Sequence, residues 1–137
     1  MSVDESHKLE CVGDRFLSYM HNPRNVGEMA APDGRAVLTG QCGDTIGVHV
    51  AIRDNVLDKV MVQPQGCVYT TVCAGAVSVL ARGLTLDQAV GLEPQDVVEE
   101  LGGLPEDHLH CARLALNTLG EAIIDYYARQ GKSLQEK

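Results

Sequence analysis

The sequence predicts an α+β domain, a small three-stranded antiparallel sheet with helices packed on it. Three observations predict it. β-branched residues alternating with period two are concentrated between residues 36 and 63. Helical spacing governs Phe16 to Met20 before them and the chain from Val68 onward. Strands and helices are therefore segregated along the chain, unlike the alternation of βαβ units.

The elements follow in order. Phe16, Leu17 and Met20 have the spacing of a short amphipathic helix, and Pro23 ends it by disfavouring a helical conformation at Asn22. Asn22 to Gly27 reads as a structured loop, and Ala31-Pro32-Asp33-Gly34 as a turn. A first strand is predicted over Ala36 to Thr39. Ile46, Val48, Val50 and Ile52 alternate with Gly47, His49, Ala51 and Arg53 as a second. Asp54-Asn55 marks a turn, and Val56 to Gln63 is a third strand. Val68 to Ala81 reads as a helix weakened at its start by Thr70, Thr71 and Val72, with Gly83 suited to its cap. Thr85-Leu86-Asp87-Gln88 is a capping box, and Pro94 opens a helix that Gly102 closes. Leu109, Ala112, Leu116, Leu119, Ile123 and Tyr126 make the stripe of a last helix, from about Pro105 to about Arg129. Gly120 inside it costs about 1 kcal/mol and predicts a close helix–sheet contact.

A chain of 137 residues is read as one domain over 13–130, between flexible tails at 1–12 and 131–137. The net charge of −8, one Phe and no Trp oppose nucleic acid as a partner. No run approaches the ~20 apolar residues of a membrane span. The polar, acidic start is neither a secretory signal nor a transit peptide, so a cytoplasmic location is expected. In that compartment five cysteines point to metal or redox chemistry rather than to disulfides.

Three cysteines have distinctive settings. Cys42 lies between Gly40 and Gly43 in the loop joining the first two strands, and Asp44 can present its carboxylate on the same side. Cys67 follows Gly66 where the third strand passes into a helix, a position whose backbone N–H groups favour a thiolate. Cys111 follows His110 in the first turns of the last helix, where the dipole is expected to lower its pKa. Spacings of 25 and 44 residues exclude a local finger, so only a folded domain could unite the three. Three thiols with Asp44 and His110 would make a soft pocket for a metal or for sulfur. Taken singly, Cys42 reads equally well as a small buried cysteine in a turn capped by Asp44, Cys67 reads also as a buried core thiol, and a histidine beside a cysteine, as at His110-Cys111, is more often incidental. Cys73 is read as core because it faces another direction from Cys67. Cys11 is assigned to the N-terminal tail, and His49 and His108 are read as surface residues.

Together, Asn22-Pro23-Arg24-Asn25-Val26-Gly27, Cys42-Gly43-Asp44, Gly66-Cys67, and Leu104-Pro105 leading to His110-Cys111 resemble the IscU-type iron–sulfur cluster scaffolds. The same domain forms the N-terminal part of NifU proteins. The resemblance runs from about Phe16 to about Tyr127. It implies a scaffold without turnover chemistry of its own. Such a scaffold accepts persulfide sulfur from a cysteine desulfurase, binds iron and assembles a [2Fe-2S] cluster for apo-protein acceptors. Cys42, Cys67 and Cys111 match the family cysteines, and Asp44 and His110 the accessory aspartate and histidine. Iron or electron donor proteins and a homodimeric partner are further expectations, and the same pocket would take Zn2+.

The alternatives are a SufU-like zinc-bound sulfur acceptor that relays persulfide, a zinc module for protein interaction, and a thiol enzyme using Cys111 and His110. The interval between Cys67 and Cys111 leaves no room for the insertion of the SufU branch. Two departures stand out. Val12 occupies the place of a family tyrosine, and Val68-Tyr69-Thr70-Thr71-Val72-Cys73 is bulkier than the serine-rich family segment. In addition, Leu104-Pro105-Glu106-Asp107-His108 replaces a Leu-Pro-Pro-Val-Lys segment recognised by a dedicated chaperone. The reversed charge predicts transfer without that chaperone, or with one of altered specificity.

Overall fold

The computed structural model describes residues 13–130, and the sequence elements appear in the expected order. They are α1 (Asp14–His21), β1 (Gly34–Thr39), β2 (Thr45–Arg53), β3 (Val56–Gln65), α2 (Val68–Ala81), α3 (Leu86–Val90), α4 (Pro94–Leu101) and α5 (Leu109–Arg129). A single 3-10 turn, Glu106–His108, precedes α5. The last helix thus begins later than Pro105, because Pro105 is extended at ψ 138 and the intervening turn is wound more tightly. The predicted tails, with Cys11 and Val12, lie outside the described residues.

The three strands form one antiparallel sheet in the order β1-β2-β3, and the fold is α+β as the segregation predicted. Asp54 and Asn55, both at positive φ, make the two-residue turn between β2 and β3. Along β2, Ile46, Val48 and Val50 point into the core, and Leu57, Val60 and Val62 do so from β3. Against this face pack α2, through Val72, Cys73, Ala76 and Val77, and α5, through Ala112, Ala115, Leu119 and Ile123. Phe16 of α1 is fully buried, an anchor of roughly 1.5–3 kcal/mol by area.

The close helix–sheet contact is at Gly34, not at Gly120. A Cβ added at Gly34 would stand 2.3 Å from the Ala122 carbonyl oxygen, whereas one at Gly120 meets nothing within 4 Å. Periodicity placed Gly120 correctly on α5 but could not tell which of its faces meets the sheet.

The segment 22–27 is a clamp. Val62 donates its N–H to the Asn25 carbonyl at 2.8 Å, and Gly27 donates to the Val62 carbonyl at 3.0 Å, covering part of the outer edge of β3. Asn25, at φ +57, donates from Nδ2 to Ser78 Oγ of α2 at 2.9 Å. Arg24 lies 4.4 Å over the Tyr19 ring, and the Tyr19 hydroxyl donates to Glu100 of α4 at 2.7 Å. Burial and that carboxylate push the Tyr19 phenol well above its ordinary value. The motif therefore ties α1, α2 and β3 together and sets the frame on which the cysteines are presented.

Candidate metal and sulfur site

Two helix N-termini converge on the site. Cys67 is the N-cap of α2, and Thr70 is the third residue of that helix. His108 is the N-cap of α5, and Cys111 is its third residue. N-cap and third-residue side chains face each other across the first turn, as in a capping box. Each helix thus delivers one facing pair, and its unpaired N–H groups favour anionic sulfur.

Thr70 stands at the centre. Its buried Oγ1 lies 3.5 Å from Cys67 Sγ and 3.6 Å from Cys111 Sγ, and it hydrogen-bonds the Asp44 carboxylate. Asp44 comes from the β1–β2 loop, closed by Gly40 N–H to the Asp44 carbonyl at 2.8 Å and by Gly43 at φ +91. Its carboxylate is 3.4 Å from Cys67 Sγ. The Thr70 hydroxyl, then the Cys67 thiol and N–H, then the Cys42 thiol hold it below the ordinary carboxylate range. Gly66 leaves room for this: a Cβ there would meet the Asp44 carboxyl carbon at 2.4 Å. Asp44 thus points toward Cys67 as well as Cys42, a reach that only the meeting of the hairpin loop with α2 allows.

Cys42 is exposed on its loop. With Gln41, His110, Arg113 and Asn117 it lines an open groove over the first turns of α5. His110 is also exposed, with Nε2 3.6 Å from Cys111 Sγ. Asp44 and the Cys67 and Cys111 thiols thus gather around Thr70, with the Cys42 loop and His110 along the open side.

Three readings need correction. Cys111 is 1% exposed, and burial pushes its thiol up to about 11 from an ordinary 9.0; desolvation outweighs the helix N-terminus that was expected to lower it. His49 is half-buried in β2 and accepts the Met29 N–H at Nδ1, 3.0 Å away. His108 is no surface residue either. Its ring stacks on Tyr69 at 3.7 Å between centroids and 10° between planes. Cys67, His108 and Cys111 each bring a possible ligand atom within 4.8 Å of the others. Cys73 is fully buried in the core, as read, and burial raises its pKa strongly.

Sequence reasoning missed Thr70 and His108. A signal for each was present: Thr70 lies three residues after Cys67, and His108 three before Cys111. That is the spacing that faces side chains across a helical turn.

The raised thiols set a pH dependence. A folded-state pKa above the unfolded value favours the protonated fold, so this stability is complete below about 9 and lost as pH rises through about 11. The metal-free protein is expected to melt at progressively lower temperature across that interval, and Cys73→Ala to show a shallower fall. A melting temperature flat to pH 11 would contradict the burial argument.

Comparison with known proteins bears on the family and the fold. The family described as NifU-like N terminal domain matches residues 12–133. The iron–sulfur cluster assembly scaffold protein IscU 1 of Archaeoglobus fulgidus is 32% identical over 120 residues, covering 87% of this chain and 78% of that protein. Aquifex aeolicus IscU is 32% identical over 126 residues, with the same coverages of 87% and 78%. The crystal structure of a nitrogen-fixing NifU-like protein (N-terminal) from Brucella abortus superposes with a TM-score of 0.70 at 18% identity, covering 88% of this chain and 98% of that one; this likeness bears on fold alone. Among the described residues, no helix is long and apolar enough to cross a membrane.

Proposed function

We propose, for a chain that belongs to the NifU-like N-terminal domain family, that it is an iron–sulfur cluster assembly scaffold. The observation that carries the reading is the convergence of α2 and α5. It holds Cys67 and Cys111 around one buried hydroxyl, with the Asp44 carboxylate beside Cys67 and Cys42 on the loop above. Thiolates are the normal ligands of iron–sulfur clusters. An oxygen donor among them is harder and exchanges more readily, as suits a cluster built to be passed on.

In this reading Cys42, Cys67 and Cys111 take up sulfur and hold the growing cluster, with Asp44 and His110 as accessory ligands. Cys42, exposed on the loop beside the open groove, is the acceptor in this reading. Its thiolate attacks the terminal sulfur of a persulfide on a cysteine desulfurase; the sulfur–sulfur bond of the donor breaks, and the donor leaves as a thiolate. Each sulfur so delivered needs two electrons to become sulfide, supplied by ferrous iron and an electron donor protein. The finished [2Fe-2S] cluster is cargo for apo-proteins, and the chain performs no turnover chemistry of its own. One domain over 13–130, a cytoplasmic location and a homodimeric state complete the proposal.

A second reading has its own support. The grouping of Cys67, His108 and Cys111 suits tetrahedral zinc, as a zinc-bound sulfur acceptor would need. Anaerobic reconstitution of the full chain with a desulfurase, cysteine, ferrous iron and a reductant decides between them. The scaffold reading expects iron and acid-labile sulfide in equal amounts. Stoichiometric zinc that resists exchange, with no sulfide retained, would replace it with the second reading.

A further inference from the structure

We propose that the exposed stripe of α5 pairs antiparallel with the same stripe of a second copy of this chain, about a twofold axis at Asn117, and closes the groove beside Cys42 in both copies. The proposal names the surface of the homodimer, and it rests on the scaffold reading only for the role of Cys42.

His110, Arg113, Asn117, Glu121 and Ile124 are all exposed. Their spacing of three or four residues puts them on one face of α5. From His110 to Ile124 that face runs about 21 Å. The groove beside Cys42 does not stop at the first turns. Past Leu38 and Asn117 it adjoins an apolar hollow lined by Val90 of α3 and by Leu116, Gly120 and Ile124. Ile124 is 57% exposed and Val90 60%. Apolar side chains gathered in this way along a groove mark an interaction surface. Gly120 lies in its floor, and with nothing within 4 Å of an added Cβ it leaves space for another helix.

Charge selects a second copy as the occupant. Arg113 lies four residues before Asn117 and Glu121 four residues after it. In an antiparallel pair centred on Asn117, Arg113 of each copy meets the partner's Glu121, so one face supplies two opposite-charge pairs. This is the self-complementarity that a twofold interface requires. Among the described residues, neither Arg113 nor Glu121 is in an ion pair that would compete. On the axis, Asn117 meets the partner's Asn117, and each amide carries both donor and acceptor. A lone Asn in a helical seam fixes register. The partner's Arg113 also lays its methylene stem over Gly120, where it covers Val90 and Ile124. By the same register the partner's Ile124 reaches His110, at the mouth of the groove beside Cys42. Two copies at −8 each repel, and the seam is short, so the dimer is expected to dissociate in the micromolar range. Cys42 is then open to a sulfur donor in the monomer and closed off in the dimer.

Sedimentation velocity on the metal-free, reduced full chain should show a reversible monomer–dimer equilibrium. Both charged residues are exposed, so reversing either leaves the core untouched. Arg113→Glu alone, or Glu121→Arg alone, sets like charges opposite each other and should weaken self-association at least about tenfold. Mixing the two variants restores both opposite-charge pairs and should give a heterodimer, and a chain carrying both substitutions should dimerise again. Alkylation of Cys42 by a bulky maleimide, read by peptide mass, should slow as the concentration of the natural chain rises and stay constant for Arg113→Glu. A chain that remains monomeric would leave the stripe to a different protein and overturn the proposal. Single variants that dimerise like the natural chain would place the dimer on another face. Variants that fail to recombine on mixing, or Cys42 alkylation indifferent to dimer formation, would refute the register. No iron, sulfide or desulfurase enters these measurements, so a chain that builds no cluster can still pass them. Normal cluster building by a strict monomer would refute the docking surface alone.

Discussion

Cys111→Ser is expected to abolish the stable visible iron–sulfur spectrum after anaerobic reconstitution, and Cys67→Ser and Cys42→Ser to do the same. A serine hydroxyl stays protonated at neutral pH and is a poor substitute for a thiolate toward iron. Cys111 offers the cleanest comparison. Its sulfur is buried beside Thr70 Oγ1, so a hydroxyl there has a hydrogen-bond partner and the fold is retained. Cluster retained on a desalting column, measured by absorbance and acid-labile sulfide, should fall by at least tenfold, the scale on which metal sites respond to lost groups. Cys73→Ser is the counterpart. It places a hydroxyl in the core at a cost of roughly 1–3 kcal/mol if unpaired, yet it should leave the cluster spectrum intact. A normal spectrum from Cys111→Ser would sink the ligand assignment. Loss of the spectrum in Cys73→Ser at a temperature where the variant is folded would show that the ligand set is incomplete.

Asp44→Ala is expected to give a longer-lived cluster and to slow its transfer to an apo-ferredoxin by about tenfold. The carboxylate is held ionised by the Thr70 hydroxyl and the Cys67 thiol and N–H, and it stands 3.4 Å from the Cys67 sulfur. It can therefore occupy a coordination position as a hard, exchangeable oxygen and yield it to an acceptor thiol. In the variant the buried Thr70 hydroxyl turns to either neighbouring sulfur, at 3.5 or 3.6 Å, so no buried polar atom is stranded. Faster transfer from Asp44→Ala would mean that the carboxylate shields the cluster rather than releasing it.

Much of the site was legible because its signals are local. A cysteine after a glycine at a strand–helix junction reads the same in the chain as in the fold, and Cys67 is indeed the N-cap of α2. Asp44 was legible as a partner of Cys42. Its reach to Cys67 and Thr70 was not, since that depends on the hairpin loop meeting α2 across 23 residues of chain. Thr70 looked like a weak start to a helix, because propensity weighs a side chain against its own backbone and ignores what another element brings. His108 looked like one more polar residue before the last helix. Its value to the site comes from Tyr69, 39 residues earlier, and from a turn wound as 3-10 rather than α.

By itself the sequence determined the order and type of the elements, the segregation that makes the fold α+β, and the three cysteines that stand out from the five. These are written in nearest-neighbour physics: period, caps, turn residues and the glycines that flank a thiol. Only the tertiary structure decided which face of α5 meets the sheet, with Gly34 rather than Gly120 at the close approach. It alone buried Cys111 deeply enough for desolvation to overcome the helix dipole. It also brought a ring nitrogen of His108 within 4.8 Å of two thiols. Each of these depends on how two elements far apart in the chain dock, and docking is set by the packing of whole faces, to which no single residue's pattern gives access.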